Sequence, residues 1–207
     1  LEFRRVLFRS GLLKPGPERG VAYLDWSAQE VAIAAALSGD DAMVAAYESG
    51  DPYLTFGRQS GVVPTDASKS SHPVERDLLK TCVLGVGYGM QEQGLADRIH
   101  RAPIVARDLL NRHHATYGHY WKWVEAERER AYLTSEVRTP FGWRMSVTGE
   151  TRTTTIQNWP IQSVGAEMLR VAIDMLQENG ISVCAPIHDA VVIEADVDDL
   201  DDDADLE

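Results

Sequence analysis

Apolar residues run in short β-prone blocks at the two ends of the chain and follow a helical period between them. "VAYLD" (21–25) is an apolar run closed by an acid and predicts a short buried strand. Directly after it, Ser27 and Glu30 in "SAQE" make a capping-box pattern ahead of "VAIAAAL", so a helix is expected there, stopped by Gly39. "GDPYLTFGRQSG" (50–61) shows little periodicity and reads as loop. Pro73 suits the first turn of a second helix through "VERDLLKTCVLG". "GLADRI" and "ARDLLNRHHATYGHYWKWVEAERERAYL" both read as helical, the latter with an aromatic stripe and a charged face. "SEVRTPFGWRMSV" predicts two short strands around Pro140 and Gly142. "WPIQSVGAEMLRVAIDMLQENG" is an amphipathic helix closed by Asn179-Gly180, and "ISVCAP" and "AVVIEA" then form a hairpin tipped by His188-Asp189. No internal repeat interrupts the layout. The fold class expected is α+β, a small antiparallel sheet with flanking helices and a mainly helical insertion.

Composition changes this picture little. A chain of 207 residues can bury a sizeable core, and 44% apolar with 25% charged residues is ordinary for a globular protein. No apolar run approaches the roughly eighteen residues of a membrane helix. Two cysteines are too few for a disulfide framework, which points to a reducing, cytoplasmic setting. The net charge of −12 argues at first against a nucleic-acid partner. Yet "DVDDLDDDADLE" (196–207) holds eight acids and no base, and removing those eight charges leaves −4. Eight cations, among them Arg107, Arg112, Lys122 and Arg128, fall between 98 and 138, so net charge decides nothing about partners. The chain opens on Leu1, which suggests a fragment, and "LEFRRVLFRS" reads as a cloning or assembly scar ahead of a Pro/Gly loop, so residues 1–20 are expected to be leader and loop.

Two stretches carry candidate chemistry. A two-residue hairpin usually carries Asn-Gly or Asp-Gly, because positive φ is needed at its tip; His188-Asp189 tolerates that conformation at a cost. From the stretch alone, Asp189 is simply a common turn former. Arg76, Lys80, Leu84 and Tyr88 recur every four residues and form a stripe on one helix face. Two cations near a helix start oppose its dipole but would hold an anion such as a triphosphate. From the residues alone, a solvated face offset by Glu75 and Asp77 is the simpler account. Gly85, Gly87 and Gly89 mark either the helix end or a close approach to the backbone, and no Gly-Lys-Ser/Thr follows to make a phosphate loop. The histidines of "HHATYGH" lack metal-ligand spacing, and the nearby Tyr117, Tyr120, Trp121 and Trp123 read as packing.

Four motifs together resemble DNA polymerases of family A. "LLKTCVLGVGYGM", preceded by Arg76, is similar to that family's finger helix, with Arg, Lys, an aromatic and Tyr-Gly at this spacing. "LDWSAQEVAIAAALSGD" resembles its first palm motif, "NWPIQSVGAEMLRVA" its palm helix, and "IHDAVVIEA" its third motif, a hairpin tipped by His-Asp-Glu. The resemblance covers Tyr23 to Ala195 in the family's order. It implies palm segments at 21–49 and 150–195, fingers at 50–149 and an acidic tail at 196–207. The thumb and any exonuclease domain would lie upstream.

The resemblance implies DNA-templated addition of deoxynucleoside triphosphates to a primer 3′-hydroxyl by two-metal phosphoryl transfer. Asp25 and Asp189 would be the catalytic residues, side by side and holding two Mg²⁺ ions, with the Trp26 carbonyl as a further ligand. Arg76 and Lys80 would grip the triphosphate, Leu84 and Tyr88 would face the nascent base pair, and Glu30 would lie under the sugar. His188 would contact the primer end, and Asn158 and Gln162 the minor groove. Primer-template DNA and deoxynucleoside triphosphates are the implied partners, with no membrane, a monomeric state and a bacterial or phage-infected cytoplasm. Departures are Ala190 where the family has Glu, Leu84 for an aromatic, which resembles phage-encoded members, and Ala32 where an Arg is frequent. The alternatives are a single-subunit RNA polymerase, against which Glu30 speaks, and a catalytically silent nucleic-acid-binding remnant, motivated by Ala190.

Overall fold

The structure, a computed structural model, describes residues 14–198. The expected leader at 1–10 and most of the acidic tail lie outside the described residues. By contact the chain divides into two compact units: residues 14–27 with 166–198 among those described, and Ala28–Gly165. The architecture is α+β, as expected. No helix of the described residues is long and apolar enough to cross a membrane.

The first unit is built on a three-stranded antiparallel sheet in the order β1-β5-β4, with β1 at Arg19–Asp25, β4 at Ser182–Ile187 and β5 at Ala190–Asp196. The central strand is apolar and buried from Ala190 to Ile193, as a strand paired on both edges should be. Register along β4 slips once: Val183 faces Ile193 and Ala185 faces Val192, so Cys184 is the extra residue of a β-bulge. A cavity of about 460 Å³ in this unit is lined by Leu24, Trp26, Met175, Leu176 and Val191, with Asp25 at its wall.

The second unit is mainly helical. Its elements are α1 (Gln29–Ser38), α2 (Asp41–Glu48), α3 (Pro52–Gln59), α4 (Pro73–Gly87), α5 (Glu92–Ile99), α6 (Pro103–Thr116) and α7 (Gly118–Thr134). A hairpin of β2 (Glu136–Arg138) and β3 (Arg144–Ser146) follows, and then α8 (Thr153–Glu178), whose residues up to Gly165 belong here. Phe56, Leu79, Leu95, Tyr117, Tyr120 and Val124 anchor its core at essentially zero exposure. The aromatic stripe of residues 117–123 is therefore packing in the main. Phe56, His113 and Tyr117 form a ring cluster with centroids 5.0–5.5 Å apart.

Five local expectations are corrected. β1 forms where expected but is not buried: as an edge strand it leaves Val21, Tyr23 and Leu24 exposed. "GDPYLTFGRQSG" is not a loop: Asp51 accepts from the Leu54 N–H as N-cap and Pro52 takes the first helical position, so Pro52–Gln59 is helical. The capping box at Ser27 does not form. The N-cap of α1 is Ala28, with left-handed backbone (φ 49) and no side-chain cap, and the Glu30 carboxylate is engaged elsewhere. The long helical run 106–133 breaks at Tyr117, whose φ −109 and ψ 57 end α6 and start α7. α8 begins at Thr153, six residues before "WPIQ", and carries Pro160 inside it.

Asp40 ties two helices together. Its Oδ1 accepts from Met43 N at 3.0 Å and caps α2, while its Oδ2 accepts from His119 N and Tyr120 N at 3.0 and 3.1 Å. α7 has no side-chain cap of its own and borrows this one from a residue some eighty positions away.

Candidate active site

In the sheet unit, strand pairing puts two carboxylates together. Asp25 ends β1 opposite Ala190 in register, and Ala190 is the residue after Asp189. Both aspartates are exposed at the hairpin end of the sheet. The Asp25 carboxyl is held above its usual range by desolvation first and by the facing Asp189 charge second; a bond from the Trp26 backbone N–H works the other way. Asp25 also lines the neighbouring cavity, beside Leu24, Trp26 and Val191. The Tyr23 phenol, two residues up the strand, is raised by desolvation and by both aspartates. His188 occupies the tip with φ 57, the left-handed backbone that hairpin geometry called for. That conformation costs a non-glycine residue about 1 kcal/mol or more.

This donor set fits a hard divalent cation. Two adjacent carboxylates that repel each other are relieved by a cation between them, and the Trp26 carbonyl follows directly in sequence. The described residues contain no cluster of three or more His, Cys, Asp or Glu that could hold a metal. Two carboxylates leave room for waters and substrate oxygens in the coordination shell of such a cation.

In the helical unit, α4 presents the predicted stripe. Arg76 Nε donates to Asp51 Oδ2 at 2.6 Å, and its guanidinium lies 5.5 Å from the Tyr53 ring centroid. Lys80 Nζ lies 5.7 Å from the same centroid. Tyr53 is buried, and desolvation raises its phenol; Arg76 partly opposes this, with Glu30 and Asp51 adding to the rise. The two cations thus lie near one aromatic ring, and the pairing with Asp51 argues against an idle solvated surface. Pattern reading does not single out Asp51 and Tyr53, because "DPY" lacks helical periodicity. An N-cap acid followed by proline was the signal available.

Further along, α4 ends at Gly87 with Tyr88 as its C-cap, and Gly89 has φ 74. A Cβ on Gly89 would meet Thr154 Cγ2 at 2.6 Å, so this glycine serves both the turn and a close approach. Tyr88 Oη donates to Glu30 Oε1 at 2.5 Å, and Gln162 Nε2 donates to the same oxygen at 2.5 Å. Gln162 Nε2 also lies 3.2 Å from Tyr88 Oη. Leu84 and Asn158 line, with Glu30 and Gly87, a cavity of about 30 Å³, room for one water. Gln157, buried beside Asn158, donates to the carbonyls of Val86 and Gly87 and accepts from Arg128. It secures the end of α4, and nothing in the sequence announced it.

Half of the cations between 98 and 138 are paired with carboxylates. Arg107, Arg112 and Arg130 pair with Glu92, Asp108 and Glu127, and Arg138 pairs with Glu136. His113 is buried and His114 stacks on Trp121 at 3.7 Å, as expected for packing histidines.

The chain matches the model of a family described as DNA polymerase family A over residues 4–206. It is 30% identical to DNA polymerase I of Chloroflexus aurantiacus over 213 residues, covering 95% of this chain and 22% of that protein. It is 28% identical to the DNA polymerase of Mycobacterium phage D29, covering 85% of this chain and 29% of that one. Its fold is similar to the POL domain of Pol1 from M. smegmatis, solved in complex with DNA primer-template and dNTP, with TM-score 0.78. That likeness covers 91% of this chain and 36% of the other at 20% identity. The chain thus spans between a fifth and a third of the length of these curated relatives.

Proposed function

The chain belongs to DNA polymerase family A, and from that premise we propose that the protein carrying it extends a DNA primer on a DNA template with deoxynucleoside triphosphates. The single observation that carries the proposal is the pairing of Asp25 and Asp189 at the hairpin end of the sheet. In this reading residues 21–49 and 150–195 are palm and 50–149 fingers. The protein acts as a monomer in a bacterial or phage-infected cytoplasm.

Asp25, Asp189 and the carbonyl of Trp26 would hold two Mg²⁺ ions. When bound, these ions supply Lewis acidity to the primer hydroxyl and charge neutralisation to the leaving pyrophosphate. Arg76 and Lys80 bind the triphosphate. Arg76 exchanges its 2.6 Å bond with Asp51 for phosphate oxygens, so an incoming nucleotide competes with a built-in carboxylate. Leu84 and Tyr88 carry the face on which the new base pair stacks. Glu30 stands under the sugar and excludes a 2′-hydroxyl. Asn158 and Gln162 contact template and primer, and His188 orients the primer end. These assignments come from the family's motifs matched position by position.

The test is Mg²⁺-dependent primer extension by the full-length protein. Asp25→Asn and Asp189→Asn are each expected to abolish nucleotide addition, about a thousandfold or more in kcat, with primer-template affinity within a few-fold of normal. Near-normal extension by either variant sinks the proposal. A silent nucleic-acid-binding remnant is the reading that Ala190 favours, since this fully buried residue faces Asp25 where the family pattern has a carboxylate. Primer-template binding without extension by the unsubstituted protein would establish it.

A further inference from the structure

Glu30 is not a helix cap, and its surroundings define a role for Gln162 beyond the minor-groove contact. Glu30 is the second residue of α1, whose N-terminus has no side-chain cap. Its Oε1 accepts two charge-assisted bonds at 2.5 Å, from Tyr88 Oη on one side and Gln162 Nε2 on the other. A carboxylate accepts only, so the group of Gln162 that faces it is the NH₂ and not the carbonyl. The same nitrogen lies 3.2 Å from Tyr88 Oη, which can accept from it while giving its own proton to Glu30. The three side chains close a ring contributed by α1, the end of α4 and α8.

We propose that Gln162 is a positioning residue of the sugar gate: with Tyr88 it locks the Glu30 carboxylate in one rotamer, and ribonucleotide exclusion depends on that lock. This rests on the gate reading of Glu30. The physical need is plain. Glutamate has three rotatable side-chain bonds, and a partly exposed one samples many positions unless bonds hold it. A wall that must reject one hydroxyl cannot swing out of its way. Two donors on a single carboxylate oxygen, from two separate elements, leave it little freedom. The commitment also has a cost for DNA. The minor groove offers mainly acceptors, adenine N3 and thymine O2, which need a donor. An NH₂ spent on Glu30 and Tyr88 is not free for them. Bracing the gate and reading the groove are therefore competing uses of one amide, and the structure holds the first.

The experiment compares the full-length protein with Gln162→Met, Glu30→Ala and the double variant, measuring kcat/KM for a dNTP and the matching NTP on the same paired primer. Methionine keeps the length of Gln162 but cannot donate. Gln162→Met is expected to lower the dNTP/NTP ratio about tenfold, the loss of one hydrogen bond to a charged group, chiefly through a lower KM for the NTP. In the Glu30→Ala background it is expected to change the ratio no further. An unchanged ratio in Gln162→Met, with Glu30→Ala relaxed, overturns the inference and leaves the gate intact. An equal drop in both backgrounds also overturns it and assigns Gln162 to the DNA directly. If Glu30→Ala itself leaves the ratio unchanged, the gate reading fails and takes the inference with it. Melting temperatures of all four proteins separate these results from damage to the fold: a fall in melting temperature without a change in ratio counts against the proposal.

Discussion

His113 is surrounded by rings. Phe56, Tyr117, Tyr120 and Trp121 lie 5.0–6.1 Å from it by centroid, and the Trp121 indole N–H donates to its Nδ1 at 3.1 Å. The proton of the neutral ring therefore sits on Nε2. Burial, with His114 alongside, pushes its pKa down to about 3. The unfolded chain takes up a proton at this residue near its ordinary value, about 6.5, and the folded chain does not. Stability is thus complete above about 6.5 and eroded as pH falls from there toward 3, by on the order of 1 kcal/mol per pH unit in mid-window. Denaturant melts of the helical unit's signal at pH 7, 6, 5 and 4 are expected to show that slope, and His113→Phe to lose about one proton's share of it. An identical slope in the variant would locate the acid sensitivity elsewhere. His188 shows strain of another kind. His188→Gly is expected to relieve the left-handed backbone, leave the melting temperature level or slightly higher, and still impair primer extension.

Among the elements, Asp40 has the widest reach. It serves three backbone N–H groups at the starts of α2 and α7 and is itself buried. Asp40→Ala is expected to cost about 2–3 kcal/mol, a cap plus buried donors left unpaired. Asp40→Asn keeps one acceptor oxygen and can serve only one of the two helices, so it should fall between. Melting temperatures in the order wild type, Asn, Ala check this, and an Ala variant as stable as wild type would refute it. Sequence pattern found most elements whose signals are local. Gly39, Pro73 and Asn179-Gly180 punctuate their helices where expected, and the strands beside Pro140 and His188 are where alternation put them. Pattern failed where a choice depends on distant partners. Ser27-Glu30 had the form of a capping box, yet Glu30 meets Tyr88 and Gln162, 58 and 132 residues away. The break at Tyr117 has no local breaker beyond Gly118; Asp40 and the ring cluster fix it. In the site, Asp25 closes β1 and Asp189 sits in the turn just before β5, and it was motif resemblance that singled out both. The partner of Arg76, Asp51, lay in a segment read as loop.

At the scale of the molecule, the sheet joins the two ends of the described segment. Arg19 pairs with Asp196 and Asp25 with Ala190, so β1–β5 closes a loop of more than 160 residues. Closing such a loop from an unfolded chain costs about 4.5 kcal/mol beyond the constant term. The contiguous segment Ala28–Gly165 has its own core and can shorten that loop by folding first. Pulse-labelling hydrogen exchange during refolding is expected to show amides of α3 and α4 protected before those of β1 and β5; simultaneous protection would refute the order. The bulge in β4 has a practical consequence. Cys82 is sealed in the core, and burial pushes its thiol up to about 12, so it is protonated at neutral pH and shielded from reagents. Cys184, the extra residue of the bulge, is exposed four positions before His188. Among the described residues the molecule therefore comes with one dye-accessible thiol at the base of its aspartate hairpin. A maleimide fluorophore placed there can report on the movements of that hairpin in the unsubstituted protein.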